Sequence, residues 1–174
     1  MYFLQYCLKY ALHYYPLLKS KMRKRTKRQI WALINPLVHA LEGATIAPRD
    51  KLDKLRLAEY SALDSITKGH GTIQDWHILT QVLNLSETMA RNGVGRDEVL
   101  PVCEKAQKAL HEAALRYQKT MCLGLTGEGI KAVRELIQYA DLQQSSISRS
   151  EFERYIQKTR DYLKSNNNNV VEII

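Results

Sequence analysis

From about position 50 onward, apolar side chains recur at steps of three and four residues, the spacing that lines one face of an α-helix. Leu52, Leu55, Ala58, Ala62 and Ile66 fall on such a stripe and predict a helix over 50–68, with Gly69 as its stop. A second helix is expected to open after Thr72, because Thr72-Ile-Gln-Asp75 has the form of a capping box with Asp in place of Glu. Its apolar stripe runs through Ile73, Trp76, Leu79, Leu83 and Met89, with His77 turned to solvent and Gly93 at the end. Asp97 is read as the cap of a third helix, in which Val99, Cys103, Ala106, Leu110, Ala113 and Tyr117 alternate steps of four and three. Pro101 then falls in the first turn, where a missing N–H donor costs little.

Thr126-Gly-Glu-Gly and the apolar set Ile130, Val133, Ile137 and Ala140 predict a fourth helix. The fifth has the clearest local signature. Ser148 and Glu151 form a capping box, and Ile147 before the cap with Phe152 at the fourth helical position forms a hydrophobic staple. Phe152, Tyr155, Ile156, Thr159 and Leu163 are expected to face inward. Amphipathic helices joined by short connections imply an all-α fold, a helical bundle of about five helices. It is read as a single domain over 29–165, with a flexible tail over 166–174 and no internal repeat.

Upstream of this bundle the pattern changes. Ile30-Trp-Ala-Leu-Ile-Asn-Pro-Leu-Val-His-Ala-Leu41 is strongly apolar but contains Pro36, which is expected to break a helix near Asn35. The segment is read as short, extended or helical, and as a cover for the core. Residues 1–28 form an atypical aromatic and basic N-terminal segment. Tyr2, Tyr6, Tyr10 and Tyr14 recur every four residues, while Met22 opens a different composition. Three readings stay open for the part before Met22: sequence that is not natively coding, an amphipathic helix packed on the body, or a membrane-surface anchor. Gln5, Lys9, His13 and Pro16 interrupt the apolar run too often for a membrane span, and the charge follows the apolar part rather than preceding it, unlike a secretory signal.

Charge changes the picture only once it is located. The formal net charge is +8. Lys9, Lys19, Lys21, Arg23, Lys24, Arg25, Lys27 and Arg28 precede the first acid, Glu42, and account for all of it; the other 18 basic residues meet 18 acidic ones. The bundle is therefore neutral and the basicity belongs to an arm. Such an arm can neutralise several phosphates without reading sequence. The run Ile147-Ser-Arg-Ser150 also looks like the entry to the second helix of a helix-turn-helix, so Arg149, Ser150 and Arg154 join Arg23, Lys24, Arg25, Lys27 and Arg28 as candidate nucleic-acid contacts. The turn glycine of that motif is absent, and Ser146 stands in its place.

Catalytic chemistry finds little purchase in the pattern. Cys7, Cys103 and Cys122 are widely spaced and form no CxxC or Cys/His ligand pair, which fits a reducing compartment and signals no metal site. Cys103 lies on the core stripe, where a thiol acts as a small apolar group. His13, His39, His70, His77 and His111 share no ligand spacing. Gly124-Leu-Thr-Gly-Glu-Gly129 lacks the Lys and hydroxyl of a phosphate loop and is better explained as a helix-capping turn. Neither an enzyme nor a cofactor is expected.

From Met22 onward the chain resembles a group of small uncharacterised proteins of proteobacterial phages, prophages and plasmids. The likeness rests on Arg23-Lys-Arg-Thr-Lys-Arg28, Asn35-Pro36, Glu42-Gly-Ala44, Gly93-Val-Gly95, Thr126-Gly127 and Ile147-Ser-Arg-Ser-Glu151. It implies an accessory protein of a mobile element in a bacterial cytoplasm, and it carries no functional residue across. Small non-enzymatic proteins in that setting often bind and block polymerases, nucleases or defence complexes. The expectation is a non-catalytic protein that modulates a nucleic-acid machine by direct protein binding, with homo-oligomers allowed. The alternative is a DNA- or RNA-binding transcriptional regulator that uses the arm and the degenerate helix-turn-helix over 142–160.

Overall fold

The computed structural model describes residues 36–46 and 49–165, and within them the chain forms six helices and no strand. They are α1 (Pro36–Ala44), α2 (Arg49–Thr67), α3 (Ile73–Arg91), α4 (Arg96–Thr120), α5 (Gly127–Ser146) and α6 (Arg149–Ser165). The fold is all-α. Helices α2 to α5 form a bundle in which α3 packs against α2, α4 and α5, and α5 also packs against α2 and α4. Helix α6 lies on α3, and α1 lies on α6.

The predicted caps of α3 and α5 are present. Thr72 accepts a hydrogen bond from the Asp75 N–H, and the Asp75 carboxylate accepts from the Thr72 N–H, which satisfies two donors at the open end of α3. Thr126 accepts from the Gly129 N–H at the start of α5, so the glycine-rich stretch is a capping turn. Gly69 and Gly93 take positive φ values, +80° and +102°, at the ends of α2 and α3. Gly71 has a different reason to be glycine: a Cβ there would lie 2.6 Å from the Ile66 side chain and 2.9 Å from its Cα. That close approach lets Gly71 pair with Leu123 across the two neighbouring loops.

One core joins the four bundle helices, with Leu79, Ala106, Leu110, Val133, Leu136 and Ile137 wholly removed from solvent. Leu136 and Leu63 belong to it although the predicted stripes passed them by. Trp76 donates its indole N–H to the Leu110 carbonyl at 3.2 Å, which satisfies its one polar atom inside the core. Polar groups cross the interfaces too. Gln143 on α5 donates to the Val94 carbonyl at 2.8 Å and accepts from the Ser86 hydroxyl, tying α5 to the turn after α3.

Several local expectations are corrected. Ala58 is exposed and Glu59 is buried, because α2 packs on α5 as well as α3 and its inner face centres on Leu52, Glu59, Leu63 and Ile66. His77 is buried rather than solvent-facing, its ring edge-on to Trp76 at 5.4 Å, since α3 has neighbours on most sides. Ile73, at the open end of α3, is exposed. The N-cap of α4 is Gly95 in the left-handed region, and Asp97 sits in the first turn, where its charge suits the helix dipole. Because α4 starts at Arg96, Pro101 falls in its second turn, not its first.

Helix α1 begins at Pro36, while the break expected near Asn35 falls on residues outside the described ones. The first helical position needs no N–H partner, and proline's fixed φ suits it. Helix α1 is apolar, yet it covers α6 rather than the core of the bundle.

Candidate interaction surface

The start of α6 is held by its own sequence. The Ser148 N–H donates to the Glu151 carboxylate at 3.0 Å, and the Glu151 N–H donates to the Ser148 hydroxyl at 3.3 Å. The Ser148 N–H and hydroxyl, both donating to the Glu151 carboxylate, hold it below the usual carboxylate range. Ile147 and Phe152 complete the staple and pack with Met89 and Tyr155 in a small cluster separate from the main core. Tyr155 lies beneath two cations, the Arg154 guanidinium 5.5 Å and the Lys158 ammonium 5.7 Å from its ring centre.

Helix α1 is fastened to that same first turn. The Arg149 N–H donates to the Thr45 carbonyl at 2.8 Å, satisfying one of the orphan donors of the helix start. Gly43 lies over Ser150, so close that an added Cβ would stand 3.3 Å from the Ser150 Cβ. The Thr45 hydroxyl in turn donates to the Glu42 carbonyl and closes the end of α1.

What α1 turns outward is apolar. Leu37 is 73% exposed, Leu41 65%, Ile46 58% and Val38 48%. Single exposed apolar residues are ordinary on a protein surface, but four on one short helix and its exit are a patch of the kind that marks a docking site. Sequence reasoning assigned this apolar run to the core and so missed it. The available signal was the position of Pro36 at a helix start, with Gly43 as the small residue that lets the helix lie flat on its support.

The sequence-predicted contacts fall as follows. Arg23, Lys24, Arg25, Lys27 and Arg28 lie outside the described residues. Arg149, Ser150 and Arg154 are all on the first two turns of α6, but each has an intramolecular neighbour. Arg149 pairs with Glu153 at 3.0 Å, Ser150 sits under Gly43 with its hydroxyl 3.2 Å from that of Ser148, and Arg154 stacks on Tyr155. The link between α5 and α6 has two residues, Ile147 and Ser148, where a helix-turn-helix uses about three or four.

A second unusual cluster lies between α2 and α5. Glu59 is 1% exposed, and its Oε2 has no hydrogen-bond partner; Gln144 Oε1 is buried in the same condition. Arg56 does not serve Glu59 but donates its Nε–H to Asp141 at 2.6 Å. Burial, aided by the Asp141 charge and opposed by Arg56, pushes the Glu59 carboxyl up to about 7. Elsewhere, burial pushes the Cys103 thiol up to about 12, away from the thiolate that a nucleophile requires. Among the described residues no three His, Cys, Asp or Glu side chains converge as metal ligands, and no helix is long and apolar enough to cross a membrane.

No family profile matches the chain, and no curated protein or solved structure is similar to it.

Proposed function

We propose that this protein is a non-catalytic binding protein that docks a protein partner on α1 and the adjoining first turn of α6. The observation that carries this reading is the outward apolar face of α1, with Leu37, Val38 and Leu41 exposed on a helix anchored from behind and Ile46 exposed at its exit. The partner surface it suits is an apolar groove that takes Leu37, Val38 and Leu41. The resemblance to proteins of phages, prophages and plasmids makes a host or phage nucleic-acid machine, such as a defence complex, the class of partner.

A second reading, contact with DNA or RNA, is favoured by one feature, the eight unopposed cations before Glu42. Two sets of substitutions separate the two. Leu37→Asp with Leu41→Asp alters exposed positions, so the fold should persist while partner capture by a photo-crosslinker placed at position 46 is lost. Replacing Arg23, Lys24, Arg25, Lys27 and Arg28 by Glu should leave that capture intact. A salt titration of duplex and single-strand binding, with chains starting at Met1 and at Met22, provides the other arm. Tight binding that falls steeply with salt and vanishes with the arm substitutions, alongside unchanged behaviour of the Leu37/Leu41 variant, would replace the docking reading by the nucleic-acid one.

A further inference from the structure

The seam between α2 and α5 holds two carboxyls within range of one guanidinium. Arg56 of α2 donates its Nε–H to Asp141 of α5 at 2.6 Å, a tie between helices far apart in sequence. Its Nη1 lies 3.5 Å from Asp53, one turn back on α2. Glu59 stands one turn ahead of Arg56 on the same helix, a spacing at which side chains are neighbours. Arg56 nevertheless serves Asp141, and the Glu59 Oε2 stays buried without a partner.

The two carboxyls differ in what they can do without Arg56. The Asp141 side chain is 20% exposed, so water can take over when the cation leaves it. Glu59 is buried in the helix interface, where an ionised carboxylate has no water to fall back on. A neutral carboxylic acid tolerates that position, and burial together with the Asp141 charge keeps the proton on Glu59 up to about pH 7. Once the proton passes to solvent, the buried charge needs a counter-ion, and Arg56 is the cation whose charge reaches it.

The other groups around the seam do not compete. Tyr60, next to Glu59 on α2, keeps its proton in this range, since burial and the Asp141 and Glu59 charges raise it further. Arg134 of α5 acts on Tyr60 but not on Glu59. Among the described residues of α3 no charged group acts on Glu59, and the buried His77 is held toward its neutral form by burial alone. We infer that Glu59 is a proton-controlled latch: with its carboxyl neutral, Arg56 ties α2 to Asp141 of α5, and with its carboxyl ionised the guanidinium swings to Glu59 and leaves Asp141 to water. The latch is closed below the Glu59 midpoint and open above it. Open, α2 is held to the bundle by its apolar face, Leu52, Ala62, Leu63 and Ile66. The latch is independent of the docking face on α1.

The test is a pH titration of the full chain, labelled with ¹³C and ¹⁵N, in which the Glu59 carboxyl carbon and the Arg56 Nε are read together by carbon-detected NMR. The Arg56 Nε resonance is expected to move with the same midpoint as Glu59, at about pH 7. In Glu59→Gln it should stay at its acid position throughout, because the amide has no proton to lose. Asp141→Asn removes the like charge and weakens the competing acceptor, so Glu59 should hold its proton about tenfold less tightly. A Glu59 carboxyl that titrates while Arg56 stays still, an Arg56 shift of equal size in Glu59→Gln, or an unchanged Glu59 midpoint in Asp141→Asn would each overturn the latch. So would a Glu59 carboxyl that titrates in the ordinary carboxylate range.

Discussion

Helices α2 to α5 and the pair α1 and α6 are built on opposite principles. In the bundle, each helix has at least two neighbours, and the core is continuous through all four. At the edge, α6 touches mainly α3, and α1 rests on α6. The small cluster under α6 has Met89, Ile147 and Tyr155 as its buried members. The bundle is therefore held by burial of apolar area, which is collective and insensitive to any one polar contact. The edge is held by a short set of directed contacts: a capping box, a staple, one backbone hydrogen bond and a glycine laid on a serine. Elements with few buried contacts open at lower free energy than the core they sit on. A docking surface on such elements adjusts to a partner without unfolding the support.

The comparison can be broken from either side. The largest effect is expected in the core: Leu136→Ala should cost about 3–5 kcal/mol, read by urea denaturation, because the structure around a fully buried leucine relaxes only partly into the space. A loss below about 1 kcal/mol would show the bundle to be loosely packed.

Next comes Glu59, a carboxyl buried within the bundle. Its carboxyl is raised from the ordinary 4.5 to about 7, so the folded state holds a proton that the unfolded chain releases. Stability should fall as pH rises between those two values and level off above them. Glu59→Gln removes the penalty, and its advantage over the native chain should grow from near zero at acid pH to about 3 kcal/mol above neutrality. Thermal denaturation of both chains from pH 4 to 8 checks this, and a difference independent of pH would show that Glu59 is not a buried carboxyl.

Ser148→Ala tests the edge. Loss of the cap should cost about 1 kcal/mol and, in hydrogen exchange, release α6 and α1 while α2 to α5 stay protected. If all six helices lose protection together, edge and bundle are one cooperative unit. Smallest of all, Leu41→Ala on the outward face of α1 should change stability by less than about 0.5 kcal/mol. A larger loss would mean that this face is covered in solution, and sedimentation at rising concentration would then tell whether a second copy covers it.

Much of this architecture was legible beforehand because its causes are local. Thr72 with Asp75, Thr126 with Gly129, and Ser148 with Glu151 are within reach of each other along the chain, so residue type and spacing suffice to name the caps. The four-and-three rhythm of Val99, Cys103, Ala106, Leu110 and Ala113 likewise settles which face of α4 is inner, since α4 has its neighbours on one side. Where a helix has neighbours on several sides, the rhythm stops being informative: His77 on α3 and Glu59 on α2 are buried by helices distant in sequence. The outward face of α1 escaped for the same reason. An apolar residue carries no mark of whether it meets a core or a partner. Those outcomes depend on where α6 comes to rest on α3 and where α1 comes to rest on α6, and only the assembled tertiary structure decides that.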